Sequence, residues 1–324
     1  MINLRPSDKW GLDAPDGAYE GVPERAYHAH PALSRSVLAT LIEKSPRHAQ
    51  HKWNESYEEG SPGIGTIAHD RVLRPEVFEQ AYARAPGTCE GTTSSGDPCG
   101  NSPQFRVDGS WRCRYHGDEE DADNITRLSP SDAETVEEVA GAVSLSERLP
   151  FADFETEVTL RWEDPTGLIC RARPDILAET ADGALWLGDL KTTGSAHPED
   201  AARQLARTGS WLQPAFYERG LRFVTGGVEV VGFTFFFVET TPPYVVQPLQ
   251  LEEVQRRRAQ KKCEQALQTV AKCIDSFGKD PWPAYDGTEV QLPHWKVERF
   301  GLPPAGDRES PPSQVGPVTA RAYA

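Results

Sequence analysis

The segment that most constrains the fold is a predicted hairpin, RARPDILAETADGALWLGDLKTT, which spans Arg171–Thr193. Two runs with strand-like patterning flank an Asp-Gly dipeptide, which is typical of a tight turn between antiparallel strands. A turn centred on Asp182 would place Asp175 directly opposite Asp189, with both side chains on one face and roughly 5 Å apart. Lys191 shares that face, because side chains alternate along a strand. The hairpin therefore predicts two carboxylates and one ammonium group where the apolar pattern predicts a buried surface.

Two carboxylates at this separation repel each other unless a cation lies between them. Carboxylate oxygens suit a hard divalent ion such as Mg²⁺ or Mn²⁺, and the backbone carbonyl of Leu190 offers a further oxygen. Such an ion clamps phosphate oxygens and activates a bound water, which a lysine can orient. The pattern thus indicates phosphodiester hydrolysis. It also fits a simpler interpretation, in which Asp175 ends a strand while Asp189 and Lys191 form an ordinary surface pair.

The order of the predicted elements indicates an α/β (α+β) fold. Helical spacing of apolar residues predicts helices over Leu33–Lys44 and Gly65–Pro75. Three strands in a meander, FETEVTLRW, LICRARPDIL and ALWLGDLKTT, precede one predicted helix over Asp200–Leu221. The unbroken apolar run in VEVVGFTFFFVET then predicts a strand buried on both faces. A polar helix over about Leu251–Ile274 follows.

The sequence of the hairpin and of the segments around it resembles a known nuclease family. RPDIL and GDLKTT resemble the PD-(D/E)XK signature, with Asp189 at the D/E position. HPALSRSVLATLIEKSPRHAQH, GTIAHDRVLRPEVF, LQPAFYERGL and FFFVETTPPYVV together resemble the RecE-type exodeoxyribonuclease VIII domain of phages and prophages, within the RecB-like branch. The likeness covers about residues 27–78 and 155–300. It implies a restriction-endonuclease-like fold, in which helices flank a mixed central sheet, and Mg²⁺-dependent hydrolysis of DNA.

The resemblance also implies a metal-ligand set. His69 falls on the helical histidine of the family, where it would bind the metal together with Asp175, Asp189 and the backbone carbonyl of Leu190. From the residues alone, a capped or core histidine is the favoured interpretation of His69. The resemblance therefore decides this assignment.

Two further family positions would orient the reacting groups. Gln213 and Tyr217 match the family's Q-x-x-x-Y and lie one helical turn apart, so they share one helix face. The resemblance implies that they act with Lys191 by holding the phosphate or ordering the lysine, although Tyr217 also fits the core. The upstream acidic residue of related nucleases is either Glu155 or Glu157, and the sequence leaves this choice open.

A short cysteine-rich stretch over residues 86–117, here named the insertion, predicts a second metal site. Cys89, Cys99, Cys113 and His116 offer four zinc ligands in a segment with almost no aliphatic residues. Such a segment needs a metal to fold. Free thiols remain the alternative, and both DNA contact and a purely structural role stay open.

An iron–sulfur cluster of the kind found in some RecB-like relatives is not expected. Those relatives carry three closely spaced cysteines near the C-terminus. Here the later cysteines are Cys170, Cys263 and Cys273, which are widely separated.

The charge of the chain places limits on DNA binding. The formal net charge over 324 residues is −15, and 13 acidic residues against two basic ones lie in Gly117–Glu157. Any DNA surface must therefore be local. We interpret residues 1–26 as an N-terminal extension and 27–300 as the nuclease domain. The insertion and an acidic linker over 118–132 interrupt that domain, and a disordered tail over 301–324 follows it.

The leading hypothesis is a Mg²⁺-dependent exonuclease that degrades linear double-stranded DNA in phage-type recombination or DNA repair. The resemblance implies a homo-oligomer and an annealing protein as partner for the single strands produced. The absence of a signal peptide and of a membrane segment predicts a cytoplasmic protein, encoded by a bacterium or a phage. The alternatives are a structure-specific endonuclease and a catalytically decayed DNA-binding scaffold with a zinc knob.

Overall fold

A computed structural model describes residues 2–57, 60–123, 125–144, 154–180 and 182–285. All but Tyr285 of these belong to one compact unit, Met1–Ala284. The second unit, Tyr285–Ala324, is otherwise outside the described residues, and so is the predicted disordered tail.

The described residues form thirteen strands, nine α-helices and three short 3-10 helices. The strands are β1 (Leu4–Arg5), β2 (Gly17–Tyr19), β3 (Tyr82–Arg84), β4 (Phe105–Val107), β5 (Ser110–Arg112), β6 (Thr126–Leu128), β7 (Phe154–Thr156), β8 (Thr159–Glu163), β9 (Ile169–Ala172), β10 (Ile176–Glu179), β11 (Leu185–Thr193), β12 (Val230–Glu239) and β13 (Val246–Leu249). The α-helices are α1 (Glu24–Ala29), α2 (Arg35–Glu43), α3 (Pro46–Asn54), α4 (Ile64–Leu73), α5 (Pro75–Ala81), α6 (Pro130–Ser144), α7 (Pro198–Thr208), α8 (Gln213–Val224) and α9 (Glu253–Phe277). The 3-10 helices span Ser7–Lys9, Glu119–Asp121 and Ser210–Leu212.

The central sheet has five strands in the order β13-β12-β11-β10-β7. Strands β11 and β12 are parallel and the other pairs are antiparallel, so the sheet is mixed. Two parallel neighbours need a crossover connection, which α7 and α8 provide. The predicted mixed α/β fold, with helices on both sides of a central sheet, is confirmed.

The predicted hairpin register is also confirmed. Ile176 lies opposite Gly188 and Leu177 opposite Leu187, as a turn around Asp182 requires. Continuing this register by one residue sets the aspartate that precedes β10 opposite the one on β11.

Strand β12 is buried on both faces, as its unbroken apolar run predicts. Phe233, Phe235 and Phe237 pack in the core that includes α8 and α9. Phe236 and Val238 face the other way and pack against α4 and α6. Because both faces meet helices, this strand has no polar side to alternate with.

Two of the predicted strands are each divided into two by a bend. FETEVTLRW forms β7 and β8, with Glu157 at the bend in a left-handed conformation of φ 54°. LICRARPDIL forms β9 and β10, and Pro174, which has no N–H to donate, lies between them. These two bent segments, β7–β8 and β9–β10, pass between the central sheet and a four-stranded sheet, ordered β1-β2-β8-β9, at the same level. The Glu157 N–H donates to the Asp175 carbonyl there, at 3.1 Å.

The single helix predicted over Asp200–Leu221 is wrong, because the structure has two helices. Gly209 ends α7 with a φ of 67°, and a 3-10 turn leads from it into α8. A Cβ at this glycine would lie 2.7 Å from the Cβ of Ala39, so close packing also favours glycine. The break makes Gln213 the first residue of α8.

The segments outside the predicted nuclease motifs join the same compact unit. Strands β1 and β2, from the predicted N-terminal extension, extend the sheet of β8 and β9. Strands β3 and β6, which precede and follow the insertion in the chain, pair in parallel. Part of the predicted acidic linker is therefore strand β6 and the start of α6.

Candidate active site and metal centres

Three possible metal ligands meet where the two bent segments pass between the sheets. His69 reaches it from α4, Glu157 from the β7–β8 bend and Asp175 from the position before β10. His69 Nε2 lies 3.1 Å from Asp175 Oδ2 and 3.7 Å from Glu157 Oε1. One ligand atom from each residue falls within 4.8 Å of the other two. We refer to these three residues as the His-Glu-Asp cluster.

The spacing in this cluster fits a small divalent ion. Octahedral Mg²⁺ has bonds of about 2.0–2.1 Å, which sets neighbouring ligand atoms about 3 Å apart. The His69–Asp175 separation of 3.1 Å meets this requirement, and the His69–Glu157 separation of 3.7 Å is slightly wider. The two carboxylates suit such an ion, and an imidazole nitrogen is a donor more typical of transition metals. The cluster could therefore hold a divalent metal.

The structure places Glu157, and not Glu155, in the cluster. Glu155 is exposed on β7, where it pairs with Leu177. The side chain of Glu157 is 14% exposed and faces His69. Sequence reasoning left both residues open because the bend, which reverses the expected alternation, depends on a φ value that local pattern does not reveal.

The second aspartate of the hairpin lies outside the His-Glu-Asp cluster but beside it. The Asp189 carboxylate is buried and forms an ion pair with the Lys191 ammonium group. Its Oδ1 accepts a hydrogen bond of 2.5 Å from Gln213 Nε2. Gln213 Nε2 also lies 3.3 Å from the Tyr217 hydroxyl. The structure thus brings together four of the predicted residues, two on the hairpin's second arm and two on α8.

The backbone of the hairpin connects the two groups of residues. The Leu190 N–H donates to Asp175 Oδ2 at 2.7 Å. Because the N–H and C=O of a strand residue point to the same edge, the Leu190 carbonyl points toward the side of β11 on which Asp175 lies.

Crowding of acidic groups changes the protonation of the site. Burial alone would lower the pKa of His69, but the carboxylates of Asp175 and Glu157 raise it to about 9. Burial and the charge of Asp175 raise the pKa of Glu157 to about 7 and that of Asp189 to about 6. The pKa of Asp175 is lowered, because His69, Lys191 and the Leu190 N–H outweigh its burial. Perturbed carboxyl and imidazole groups of this kind are typical of functional sites.

The His-Glu-Asp cluster lines a cleft with a volume of about 1430 Å³. Small-molecule pockets usually hold about 300–1,000 Å³, so this cleft has room for part of a polymer. Arg25 and Lys52 are exposed cations on its walls, and Lys52 forms an ion pair of 2.8 Å with Glu55, which also lines the cleft. The rings of His28 and Tyr57 also line it and stack with centroids 4.5 Å apart and planes inclined by 9°. The cleft therefore offers positive charge and aromatic surface in an acidic chain.

The insertion brings the four predicted zinc ligands together. Tetrahedral zinc, with Zn–S near 2.3 Å and Zn–N near 2.0–2.1 Å, requires S···S edges of about 3.8 Å and S···N edges of about 3.6 Å. Cys99 Sγ and Cys113 Sγ are 3.8 Å apart, and Cys113 Sγ lies 3.6 Å from His116 Nδ1. Cys89 Sγ lies 3.3 Å from the same nitrogen. These distances fit one zinc ion.

Local backbone geometry supports this second centre. The N–H groups of Gly91 and Cys113 each donate to Cys89 Sγ at 3.3 Å. A Cβ at position 91 would lie 2.6 Å from His116 Nδ1, so the ligand needs glycine there. The three cysteines form a small buried cluster of their own. The insertion therefore has no aliphatic core that could replace the metal.

The insertion presents an exposed cation and ring between two of its ligands. Tyr115 is 67% exposed. The Arg114 guanidinium lies 4.9 Å from the centre of its ring and donates to its hydroxyl at 2.8 Å. Arg106, which is also in the insertion, lies 3.9 Å from Asp123.

The remaining cysteines lie apart from both centres. Cys170, Cys263 and Cys273 are buried with free thiols, and no metal-ligand group found in the described part of the chain includes them. Among those same residues, no helix combines the length and apolar character needed to cross a membrane.

Comparison with known proteins gives solved structures of low similarity. No protein-family model and no curated protein matches the chain. A solved structure from Eubacterium rectale, named as a candidate exonuclease, aligns with 86% of this chain and 96% of its own at 12% identity and a TM-score of 0.46. The solved structure of SSO0001 aligns with 42% of this chain and 61% of its own at 17% identity and a TM-score of 0.24. Similarity at this level does not identify an activity.

Proposed function

We propose that the chain is a Mg²⁺- or Mn²⁺-dependent deoxyribonuclease of the PD-(D/E)XK type, which degrades linear double-stranded DNA as an exonuclease. The observation that carries the proposal is the His-Glu-Asp cluster in the cleft, with the Asp189–Lys191 pair beside it and connected to Asp175 through the Leu190 N–H. Carboxylates that surround a divalent ion, with a lysine beside it, are what phosphodiester hydrolysis requires.

His69, Glu157 and Asp175 would hold the ion, and Asp189 and the carbonyl of Leu190 would complete its ligands. When bound, the ion supplies charge neutralisation at the phosphate and a water of lowered pKa. The ligand residues converge from three separate elements, so the fold prepares the site before the ion arrives.

Lys191 would orient the attacking water and donate to the negative charge that develops on the phosphate. Its ammonium group pairs with Asp189, and Gln213 holds the carboxylate of Asp189 in place. Gln213 Oε1 is buried and has no hydrogen-bond partner among the described residues. This oxygen is an acceptor through which Gln213 would order the lysine or the water. Tyr217 fixes the amide by its contact with Nε2.

The cleft supports a nucleic-acid substrate. Bases stack on aromatic rings and phosphates bind cations in grooves of this kind. His28 and Tyr57 supply the rings, and Arg25 and Lys52 supply the charges. The rest of the chain is acidic, so a ring-shaped homo-oligomer would help to enclose DNA. An annealing protein of phage-type recombination or repair would receive the single strands.

The exposed Arg114–Tyr115 pair favours a second candidate function. It would suit a DNA-binding scaffold in which the zinc-bound insertion is the working part and the nuclease site has decayed. A structure-specific endonuclease is the third possibility, because the same residues can cut within a strand.

Purified protein incubated with linear and circular duplex DNA, with and without Mg²⁺, separates these functions. Loss of linear DNA from its ends supports the exonuclease, nicking of circles supports the endonuclease, and binding alone supports the scaffold. Glu157→Gln should abolish Mg²⁺-dependent hydrolysis, whereas Glu155→Gln, on an exposed neighbouring position, should retain it. Equal activity of the two variants would contradict the assignment of the site.

A further inference from the structure

Arg173 lies next to the His-Glu-Asp cluster without belonging to it. One of its terminal nitrogens is 3.6 Å from Glu157 Oε2. The other oxygen of the same carboxylate, Oε1, is the one that faces His69. The two oxygens of Glu157 therefore have different partners, an arginine on one side and the candidate metal position on the other.

The guanidinium group of Arg173 is held by two hydrogen bonds and an aromatic ring. Its Nε donates to Thr159 Oγ1 at 3.0 Å, and a terminal nitrogen donates to the Val22 carbonyl at 2.8 Å. The group lies 4.2 Å from the centre of the Tyr27 ring. A buried guanidinium with its donors and its face engaged has one orientation, so it can fix the direction of a carboxylate that it contacts.

Glu157 needs such a partner because its position is unfavourable. Its backbone is left-handed, and its carboxylate is near that of Asp175. Repulsion from Asp175 opposes this placement, and both His69 and Arg173 attract the carboxylate. Arg74 also acts on Glu157 electrostatically, but its guanidinium forms ion pairs with Asp70 and Glu24. Arg173 is the arginine within ion-pair distance of Glu157.

We infer that Arg173 is a positioning residue, which directs Oε1 of Glu157 toward the metal. This inference rests on the proposed metal site, which is part of the proposed function. It also connects the N-terminal segment to the site, because Val22 and Tyr27 hold the arginine in place. Residues that orient a ligand in this way typically change metal affinity 10- to 100-fold when replaced.

Arg171 provides a matched control. It lies two residues earlier, and both arginines are 8% exposed. Its guanidinium also lies over the Tyr27 ring, at 4.9 Å, and donates to the carbonyls of His28 and His30. It forms no ion pair with Glu157 among the described residues. Replacement of either arginine removes a buried cation from the same ring, but only one replacement releases the ligand.

The test is the affinity for Mn²⁺, measured by electron paramagnetic resonance without DNA. Arg173→Gln should weaken Mn²⁺ binding at least about tenfold, and Arg171→Gln should change it less than about twofold. Arg173→Lys, which retains the charge but not the fork of donors, should restore part of the affinity. In a Glu157→Gln background, Arg173→Gln should cause no further loss, because the two residues act as one unit.

Equal Mn²⁺ affinity of Arg173→Gln and wild type would overturn the inference, and so would an equal loss in Arg171→Gln. If Arg173→Gln does not fold, Arg173→Lys decides the matter, and wild-type affinity in that variant counts against a positioning role. A wild-type protein that binds no Mn²⁺ also overturns it. Wild-type protein that binds Mn²⁺ with the expected dependence on Arg173 but hydrolyses no DNA would refute the proposed function alone.

Discussion

A proton on His69 should compete with the metal. The carboxylates around His69 raise its pKa from an ordinary 6.5 to about 9, so the imidazole is protonated at pH 7 in the metal-free protein. A metal binds only the neutral ring. At pH 7, two pH units below this pKa, removing the proton costs about 2.7 kcal/mol. The metal affinity at pH 7 should therefore be about 100-fold lower than at high pH.

The direction of the pH dependence follows because the metal binds only the deprotonated ligands. Metal affinity should rise about tenfold per pH unit as the pH approaches 9, because each unit raises the neutral fraction of His69 tenfold. Below pH 7 the dependence should become steeper, because Glu157, with a pKa of about 7, must also lose a proton. In the absence of metal both groups hold protons more tightly when folded. Their contribution to stability is therefore complete below their ordinary pKa values, and it is lost as the pH rises through 7 and then 9.

Titration calorimetry with Mg²⁺ or Mn²⁺ between pH 6.5 and 8.5 measures this directly. The dissociation constant should fall about 300-fold across this range, because His69 and Glu157 both lose protons within it. Repeating the titration in buffers with different ionisation enthalpies should show about one proton released per metal at pH 8. His69→Gln should bind more weakly and lose this dependence above pH 7.5. An affinity that changes less than about threefold in the wild type would refute the reasoning.

Three further outcomes are expected. Chelation of zinc, or Cys99→Ser, should increase hydrogen exchange in the insertion and leave the exchange of the central sheet unchanged; loss of protection in both would contradict an independent metal-held unit. Asp189→Ala should abolish DNA hydrolysis and cost about 1–3 kcal/mol, because its amide and ammonium partners lose their acceptor; hydrolysis at the wild-type rate would show that the site is misassigned. Gly220→Ala should lower the free energy of unfolding by about 1–3 kcal/mol, because its Cβ would lie 2.5 Å from the buried Trp162 ring. Gly141→Ala, where the Cβ meets nothing within 4 Å, should instead be neutral or stabilising in the same urea titration.

Local patterns predicted most of the fold. The alternation of side chains and the Asp-Gly turn were sufficient for the hairpin register, because both depend on neighbouring residues. The apolar run around Phe235 predicted a strand covered on both faces. The helix break at Gly209 was missed because the helical pattern continues through it, and the left-handed residue that ends α7 packs against Ala39 on a distant helix.

By itself, the sequence determined the α/β fold class, the facing arrangement of the hairpin's carboxylates and the four possible zinc ligands. These follow from periodicity and spacing along short stretches of chain. Only the tertiary structure decided that Glu157 joins His69 and Asp175, and that Gln213 holds Asp189 beside them. These contacts depend on where the two bent segments of the chain pass each other and on which buried charges then meet. Such contacts join residues far apart along the chain, and no local pattern contains them.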